Sequence, residues 1–298
     1  MKETEEIKRR LRRIKAKKIF IQFPEGLKQK IQEIVKNLEK EFDCIICCEP
    51  TYGACDLRDE EARRLGCDAI LHIGHSSLGL KSKLPVIYWE YLYEIDPVPV
   101  LRKEIRKLKN FKKIGLITSL QFVKTLERVK RFLEDEGKEV YMKKSLKYPG
   151  QVLGCDTRAA KDLENKVDCF LYVGAGKFHP IGVALRVRKP VLCLDLEKKS
   201  IYDLEKEKKR WLKLKAWYES KLKEAKRVGI IISWKKGQNR INEARKLKKN
   251  LERKGKEVYI LAFDRVTLDK LSGLKIDYWI NLACPRLEED LILSKLCE

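Results

Sequence analysis

The feature that most constrains the fold is a plan written three times along the chain. KKIFIQF (17–23), KKIGLIT (112–118) and RVGIIIS (227–233) are basic-then-apolar runs rich in Ile, the pattern of buried strands. Each precedes a stretch with apolar residues at helical spacing, over 27–42, 122–137 and 238–255. In the first of these, Ile31, Ile34, Val35 and Leu38 recur on one face, with Lys and Glu opposite. The second and third end in nearly the same words, EGKEVYMKKS and KGKEVYILAF, with Gly137 and Gly255 placed to terminate a helix in a left-handed backbone. A second strand follows in each copy (43–50, 138–144, 256–263), and a third closes it: CDAILHIGHS (67–76), VDCFLYVGAG (167–176) and IDYWINLACP (276–285). PVIYWEY (85–91) and PVLCLDL (190–196) add one strand to each of the first two copies.

Strand, helix, strand, helix, strand in that order predicts an α/β fold, with mainly parallel sheets and right-handed crossovers. Three pseudo-repeated α/β domains are expected, over 1–98, 99–200 and 201–298, each with its sheet flanked by helices, around a central site. The first junction, 96–111, has a Pro-rich start and then a helix. The second, 198–227, reads as one long connecting helix with Leu204, Trp211, Leu214 and Trp217 near one face. With 44% hydrophobic residues in a chain of 298, a sizeable core is expected and disorder is not. No apolar run is long enough to span a bilayer, and the N-terminus lacks the apolar stretch of a secretory signal, so a cytoplasmic location is expected. A net charge of +23 is spread over several helices and carries no nucleic-acid motif. It reads as a Lys-rich solvated surface, with no direct nucleic-acid partner expected.

In a reducing cytosol, ten cysteines are more readily core residues, metal ligands or catalytic groups than disulfides. Cys44, Cys47 and Cys48 contain a C-x-x-C, but strand side chains alternate, so Cys44 and Cys47 point to opposite faces and all three read as core. Cys67, Cys169 and Cys193 lie in or beside strands and read the same way, while Cys297 reads as incidental. Three remain in Gly- or Pro-marked loops at strand ends, where α/β sheets place their ligands: Cys55 in PTYGACDLRD, Cys155 in YPGQVLGCDTRAA and Cys284 in NLACPRL. One thiolate per copy is too few for a closed four-cysteine structural site, but suits a four-iron cluster with one iron open. Their wide spacing matches no local metal motif, so on spacing alone the metal reading stays open.

IQFPEGL (21–27), EPTYGACDL (49–57), HIGHSSL (72–78), YPGQVLGCD (148–156), YVGAGKFHPIG (172–182) and LACPRL (282–287) together resemble the archaeal diphthamide-synthesis enzymes. These are 3-amino-3-carboxypropyl transferases acting on elongation factor 2. The resemblance runs through nearly the whole chain. It implies a non-classical radical S-adenosylmethionine enzyme, with a [4Fe–4S] cluster bound by one cysteine per domain. The matching positions are Cys55, Cys155 and Cys284, and the C-x3-C-x2-C motif of ordinary radical enzymes is absent here as in that family. It further implies S-adenosyl-L-methionine as a substrate cleaved between sulfur and the γ-carbon, releasing methylthioadenosine and a 3-amino-3-carboxypropyl radical. The acceptor is a histidine of elongation factor 2, and a homodimer and an electron donor come with the family.

Around those ligands, several residues are candidates for cofactor or substrate contact. Gly174 and Gly176 follow a strand end, where backbone amides can approach a nucleoside or carboxylate closely. Arg286 can pair with a carboxylate, and Gln238 with Asn239 opens a helix whose free N–H groups suit an anion. His75 with Ser76 and Ser77 sits at a strand end, and His179 precedes Pro180 in a loop. At each of these, turn, cap and packing roles compete with binding. They compete at Glu25 and Gly26 also, while His72 reads as structural. Two rival readings remain. A quinolinate-synthase-like dehydratase has the same three-repeat, three-cysteine plan, and a basic binding protein without catalysis would merely bury its cysteines.

Overall fold

The structure, a computed structural model, describes residues 2–287, without the side chains of Lys2 and Arg286. Contacts group these residues into two compact units. One is Met1–Tyr91 together with the short segment Lys235–Gln238, and the other holds Leu92–Trp234 and the residues from Asn239 on.

In the first unit, helix α1 (Lys2–Arg13) precedes β1 (Lys18–Gln22), α2 (Ile31–Leu38), β2 (Asp43–Ile46), α3 (Asp59–Arg64), β3 (Ala69–Ile73) and β4 (Val86–Trp89). The strands form one sheet in the order β2-β1-β3-β4, every neighbour parallel. A parallel sheet needs cover on both faces. Ile7 and Leu11 of α1 join Ile31, Val35 and Leu38 of α2 over Ile19, Ile21, Leu71 and Ile73 on one face. Phe20 and Ile70 meet Leu57 and Ala62 on the other.

The second unit holds α4 (Val98–Glu104), β5 (Lys113–Thr118), α5 (Leu126–Asp135), β6 (Glu139–Tyr141), α6 (Arg158–Lys161), β7 (Cys169–Gly174), α7 (Phe178–Ala184), β8 (Val191–Asp195) and β9 (Ser200–Asp203). It continues through α8 (Glu205–Glu224), β10 (Arg227–Ser233), α9 (Ile241–Glu252), β11 (Glu257–Phe263), α10 (Leu268–Leu271) and β12 (Tyr278–Asn281). Its two sheets run β6-β5-β7-β8-β9 and β11-β10-β12. The order second, first, third strand therefore recurs in all three sheets, as the repeats predict. Gly137 and Gly255 do close their helices, at φ +74° and +76°.

Two further regularities bind each repeat together. An Asp just before the third strand accepts backbone N–H bonds from the start of the first strand: Asp68 from Lys17 and Lys18, Asp168 from Lys112 and Lys113, Asp277 from Lys226 and Arg227. Those bonds hold the Asp168 carboxyl below its usual range, and Arg227 does the same for Asp277 through its backbone and guanidinium. The second regularity is an exchange of volume. Phe20 faces Ile70 in register, whereas Gly115 faces Phe170 and Gly229 faces Trp279. A Cβ on Gly115 would stand 2.6 Å from the Phe170 ring, and one on Gly229 2.5 Å from Trp279. The large residue has moved from the first strand to the third.

The 198–227 junction is not one helix. Ser200–Asp203 pair antiparallel with β8 as β9, because Ile201 alternates inward beside Leu194. Leu204 is fully buried ahead of α8 rather than within it. On α8 itself Trp217 is 38% exposed, and the inward residue is Tyr218, whose hydroxyl donates to the Trp279 carbonyl at 3.0 Å. No helix among the described residues is long and apolar enough to cross a membrane.

Candidate functional site

Cys55 lies in the loop between β2 and α3. From inside the sheet, the buried Gln22 of β1 donates to the Asp56 carbonyl at 2.9 Å and accepts the Arg58 N–H at 3.0 Å. From the other side comes Lys235–Gln238, the connection between β10 and α9. Lys235 Nζ pairs with Asp56 at 2.5 Å, both side chains almost fully buried, and lies 5.6 Å over the Tyr52 ring. Lys236 pairs with Asp59 at 2.6 Å. Burial alone would raise the Asp59 carboxyl, but this pair and the Lys83 N–H reverse it and hold the group low. Gly237 N–H donates to the Cys55 carbonyl at 3.1 Å, and the Gln238 side-chain amide donates to Cys55 Sγ at 3.3 Å.

Gln238 is thus not the first residue of a helix. α9 starts at Ile241, whose N–H goes to Asn239 Oδ1, so the expected anion site at 238–239 gives way to a contact with the cysteine.

The Cys155 loop leaves β5's edge at Gln151 and enters α6. Thr118 N–H donates to Gly150 O at 2.9 Å, and Val152 N–H returns to Thr118 O at 2.8 Å. Gly154 packs so tightly on α7 that a Cβ at Gly182 would meet its carbonyl oxygen at 2.6 Å, and Arg186 donates to that oxygen at 3.0 Å. Cys155 itself is exposed. Cys284 is half-buried just past β12, where Asn281 donates to its carbonyl at 2.7 Å and accepts the Ala283 N–H at 3.0 Å.

The remaining described thiols differ in chemistry. Burial pushes Cys44, Cys169 and Cys193 up to about 12, and raises Cys47 and Cys67 as well. A metal ligand must be a thiolate, so these five fit a packing role. Cys48 departs from the expected core position: β2 ends at Ile46, and Cys48 is exposed beyond it. Cys297 lies outside the described residues. Among the described residues, no three His, Cys, Asp or Glu side chains are grouped to hold a single metal ion. An iron–sulfur cluster makes a different demand, since each thiolate takes its own iron. Three loop thiols, one already accepting an amide hydrogen bond, are a donor set of the right chemistry for one.

The other candidates are placed as follows. His72 is fully buried in β3, as its structural reading requires, and its Nε2 lies 3.1 Å from His75 Nδ1. Burial, with the neighbouring His75, brings His72 down to about 3, and burial brings His75 to about 4, so both rings are neutral at pH 7. One ring nitrogen of His75 is therefore committed to the protein. Ser76 is buried, and Ser77 Oγ accepts the Gly79 N–H. Gly174 ends β7 against the Tyr172 ring, whereas Gly176 is exposed. His179 lies in the first turn of α7 rather than in a loop, with Phe178 edge-on to it. Arg286 follows Cys284, but its side chain is outside the described residues.

The model of the diphthamide synthesis protein family matches residues 23–291. The chain belongs to the diphthamide synthesis family. Over 96% of its length it is 36% identical to the 2-(3-amino-3-carboxypropyl)histidine synthase of Pyrococcus horikoshii, covering 83% of that protein. It is 27% identical to the enzyme of that name from Methanocaldococcus jannaschii, over 98% of this chain and 85% of the relative. Its fold matches the crystal structure of Dph2 from Pyrococcus horikoshii with a 4Fe-4S cluster at a TM-score of 0.90 and 35% identity, covering 96% of this chain and 85% of that one. The diphthamide-synthesis resemblance, the α/β fold and the enzyme class, a transferase, are borne out. The quinolinate-synthase-like reading shares the repeats but not the family match.

Proposed function

We propose that this chain transfers the 3-amino-3-carboxypropyl group of S-adenosylmethionine to a histidine of elongation factor 2, the first step of diphthamide formation. It works through a [4Fe–4S] cluster held by Cys55, Cys155 and Cys284, one from each repeat over 1–98, 99–200 and 201–298. The observation that carries this reading is chemical: these cysteines stand in strand-end loops, Cys55 and Cys155 after the second strand of their repeats and Cys284 after the third, while five of the other thiols are raised by burial. Similarity to a Dph2 whose crystal structure contains a 4Fe-4S cluster supports it.

When bound, the cluster supplies the electron that cleaves the sulfur–γ-carbon bond. The chain's own contribution is to fix the ligand loops, orient the sulfonium and exclude water. Gly174 and Gly176 offer backbone amides, and His75, Ser76, His179 and Arg286 offer polar side chains for the S-adenosylmethionine. A homodimer, a separate electron donor and a cytosolic site of action complete the reading.

The test is anaerobic. Reconstituted protein, given reductant, S-adenosylmethionine and elongation factor 2, should release methylthioadenosine and modify one histidine of the factor. Cys55→Ala, Cys155→Ala and Cys284→Ala should each lose bound iron or activity, and Cys47→Ala neither. Quinolinate from iminoaspartate and dihydroxyacetone phosphate would overturn the reading, as would a colourless, iron-free protein after reconstitution.

A further inference from the structure

Four consecutive residues of the β10–α9 connection each hold the Cys55 loop by a different contact. Lys235 holds Asp56, Lys236 holds Asp59, Gly237 N–H holds the Cys55 carbonyl, and the Gln238 amide holds Cys55 Sγ. The fit allows no side chain at its centre, since a Cβ on Gly237 would lie 2.4 Å from Cys55 Cβ and 2.6 Å from its Cα. The segment groups with the first unit although both flanking elements belong to the second. A connection that served only to join β10 to α9 would not need a buried ion pair, a bare glycine and an amide aimed at sulfur.

We propose that Lys235–Gln238 is a positioning strap for Cys55, and that Gln238 is a positioning residue that tunes the reduction potential of the cluster through its N–H···S bond. This rests on the reading of Cys55 as a cluster ligand. Hydrogen bonds to ligand sulfur are one of the means by which proteins set iron–sulfur potentials. A donor favours the state with more negative charge, which is the reduced one. Gln238→Leu removes the donor and keeps the approximate volume, so the cluster should become harder to reduce. The shift expected is about tenfold in the reduction equilibrium, or about 59 mV more negative for one electron.

The experiment has one arm with the cluster and one without. Full-length parent and Gln238→Leu are reconstituted anaerobically, and their potentials are read by titration followed by electron paramagnetic resonance. In the iron-free protein, iodoacetamide alkylation of Cys55 and Cys155 is timed by peptide mass spectrometry for the parent and Gly237→Ala. Access governs thiol reactivity, so displacing the strap should speed Cys55 about tenfold and leave Cys155 unchanged. A Gln238→Leu potential equal to the parent's, or unaltered Cys55 alkylation in Gly237→Ala, overturns the strap. Cys55→Ala serves as the control: full cluster content in that variant defeats the ligand reading, whereas the alkylation arm judges the strap without it.

Discussion

The buried pair between Lys235 and Asp56 gives an ordering of variants that can be worked out beforehand. Their side chains are only 6% and 2% exposed and stand 2.5 Å apart. Asp56→Asn leaves the Lys235 ammonium buried beside a neutral amide. Removing one partner of such a pair costs about 3–5 kcal/mol, because the other charge stays desolvated. Lys235→Met is milder, since Arg58 Nε remains 3.7 Å from the other oxygen of Asp56. Its loss is closer to one charged hydrogen bond, about 1.5–3 kcal/mol. The double variant Asp56→Asn, Lys235→Met buries no charge from this pair and should cost far less than the sum of the two.

Hydrogen exchange of the iron-free protein, read on peptides covering 51–58, is the appropriate assay because it measures local opening in a chain of two units. At 1.36 kcal/mol per decade, Asp56→Asn should speed exchange there by about two to nearly four orders of magnitude. Lys235→Met should give about one to two. Additive costs in the double variant, or a Lys235→Met effect as large as that of Asp56→Asn, would refute this account of the pair.

Three further outcomes are expected. His72 is buried neutral at about 3, well below its unfolded value near 6.5. The stability this gives is complete above about pH 6.5 and is lost as pH falls toward 3, by roughly 3–5 kcal/mol at the limit. His72→Phe should flatten that stretch of a urea-midpoint profile. Gly115→Ala and Gly229→Ala drive a Cβ into Phe170 and Trp279 and should each lower stability by about 1–3 kcal/mol in urea unfolding. Gly176→Ala is the control, with nothing within 4 Å of the new Cβ, although its φ of +71° adds backbone strain. Asp168→Ala gives up the acceptor of two backbone N–H bonds at a partly solvated strand start, worth about 1 kcal/mol after solvent screening. Because the folded carboxyl is held low, that contribution is present above the unfolded value near 3.9 and falls away in more acid solution.

The strands were legible because a buried parallel strand has little room for anything but Ile, Val and Leu, and that bias shows in any one copy. The parallel pairing followed from the alternation of strands and helices, whereas the order second, first, third is not fixed by crossover handedness alone and came from the structure. The Asp staples were equally visible, as the D of CDAILHI, VDCFLYV and IDYWINL, and only a comparison of the three copies for polar rather than apolar agreement would have singled them out. β9 was hidden because four residues, Ser200–Asp203, run directly into a helix of charged residues, and its only cue is Ile201 and Leu204 on either side of two polar positions. The grip of Lys235–Gln238 on Cys55 had no local cue at all. Gln238 reads as the start of a helix and KKG before it carries no pattern of its own; the charges become pairs only because Asp56 and Asp59, almost 180 residues earlier, are presented to them.

What the sequence could not order is the hierarchy among the three cysteines. Each loop is fastened by a different device: Gln22 and the strap at Cys55, Arg186 and the Gly154–Gly182 contact at Cys155, and the Asn281 turn at Cys284. In every case the anchor grips a backbone carbonyl of the cysteine or of a residue next to it. At Cys55 it also reaches the sulfur. A ligand whose backbone is already fixed loses little entropy on binding, so on the proposed reading rigidity of this kind supports cluster affinity at all three. An additional bond to sulfur does something separate: it acts on the charge state of whatever the sulfur binds. On the proposed cluster reading, the Gln238 bond makes Cys55 a position at which a substitution outside the ligands should alter electron affinity without altering occupancy.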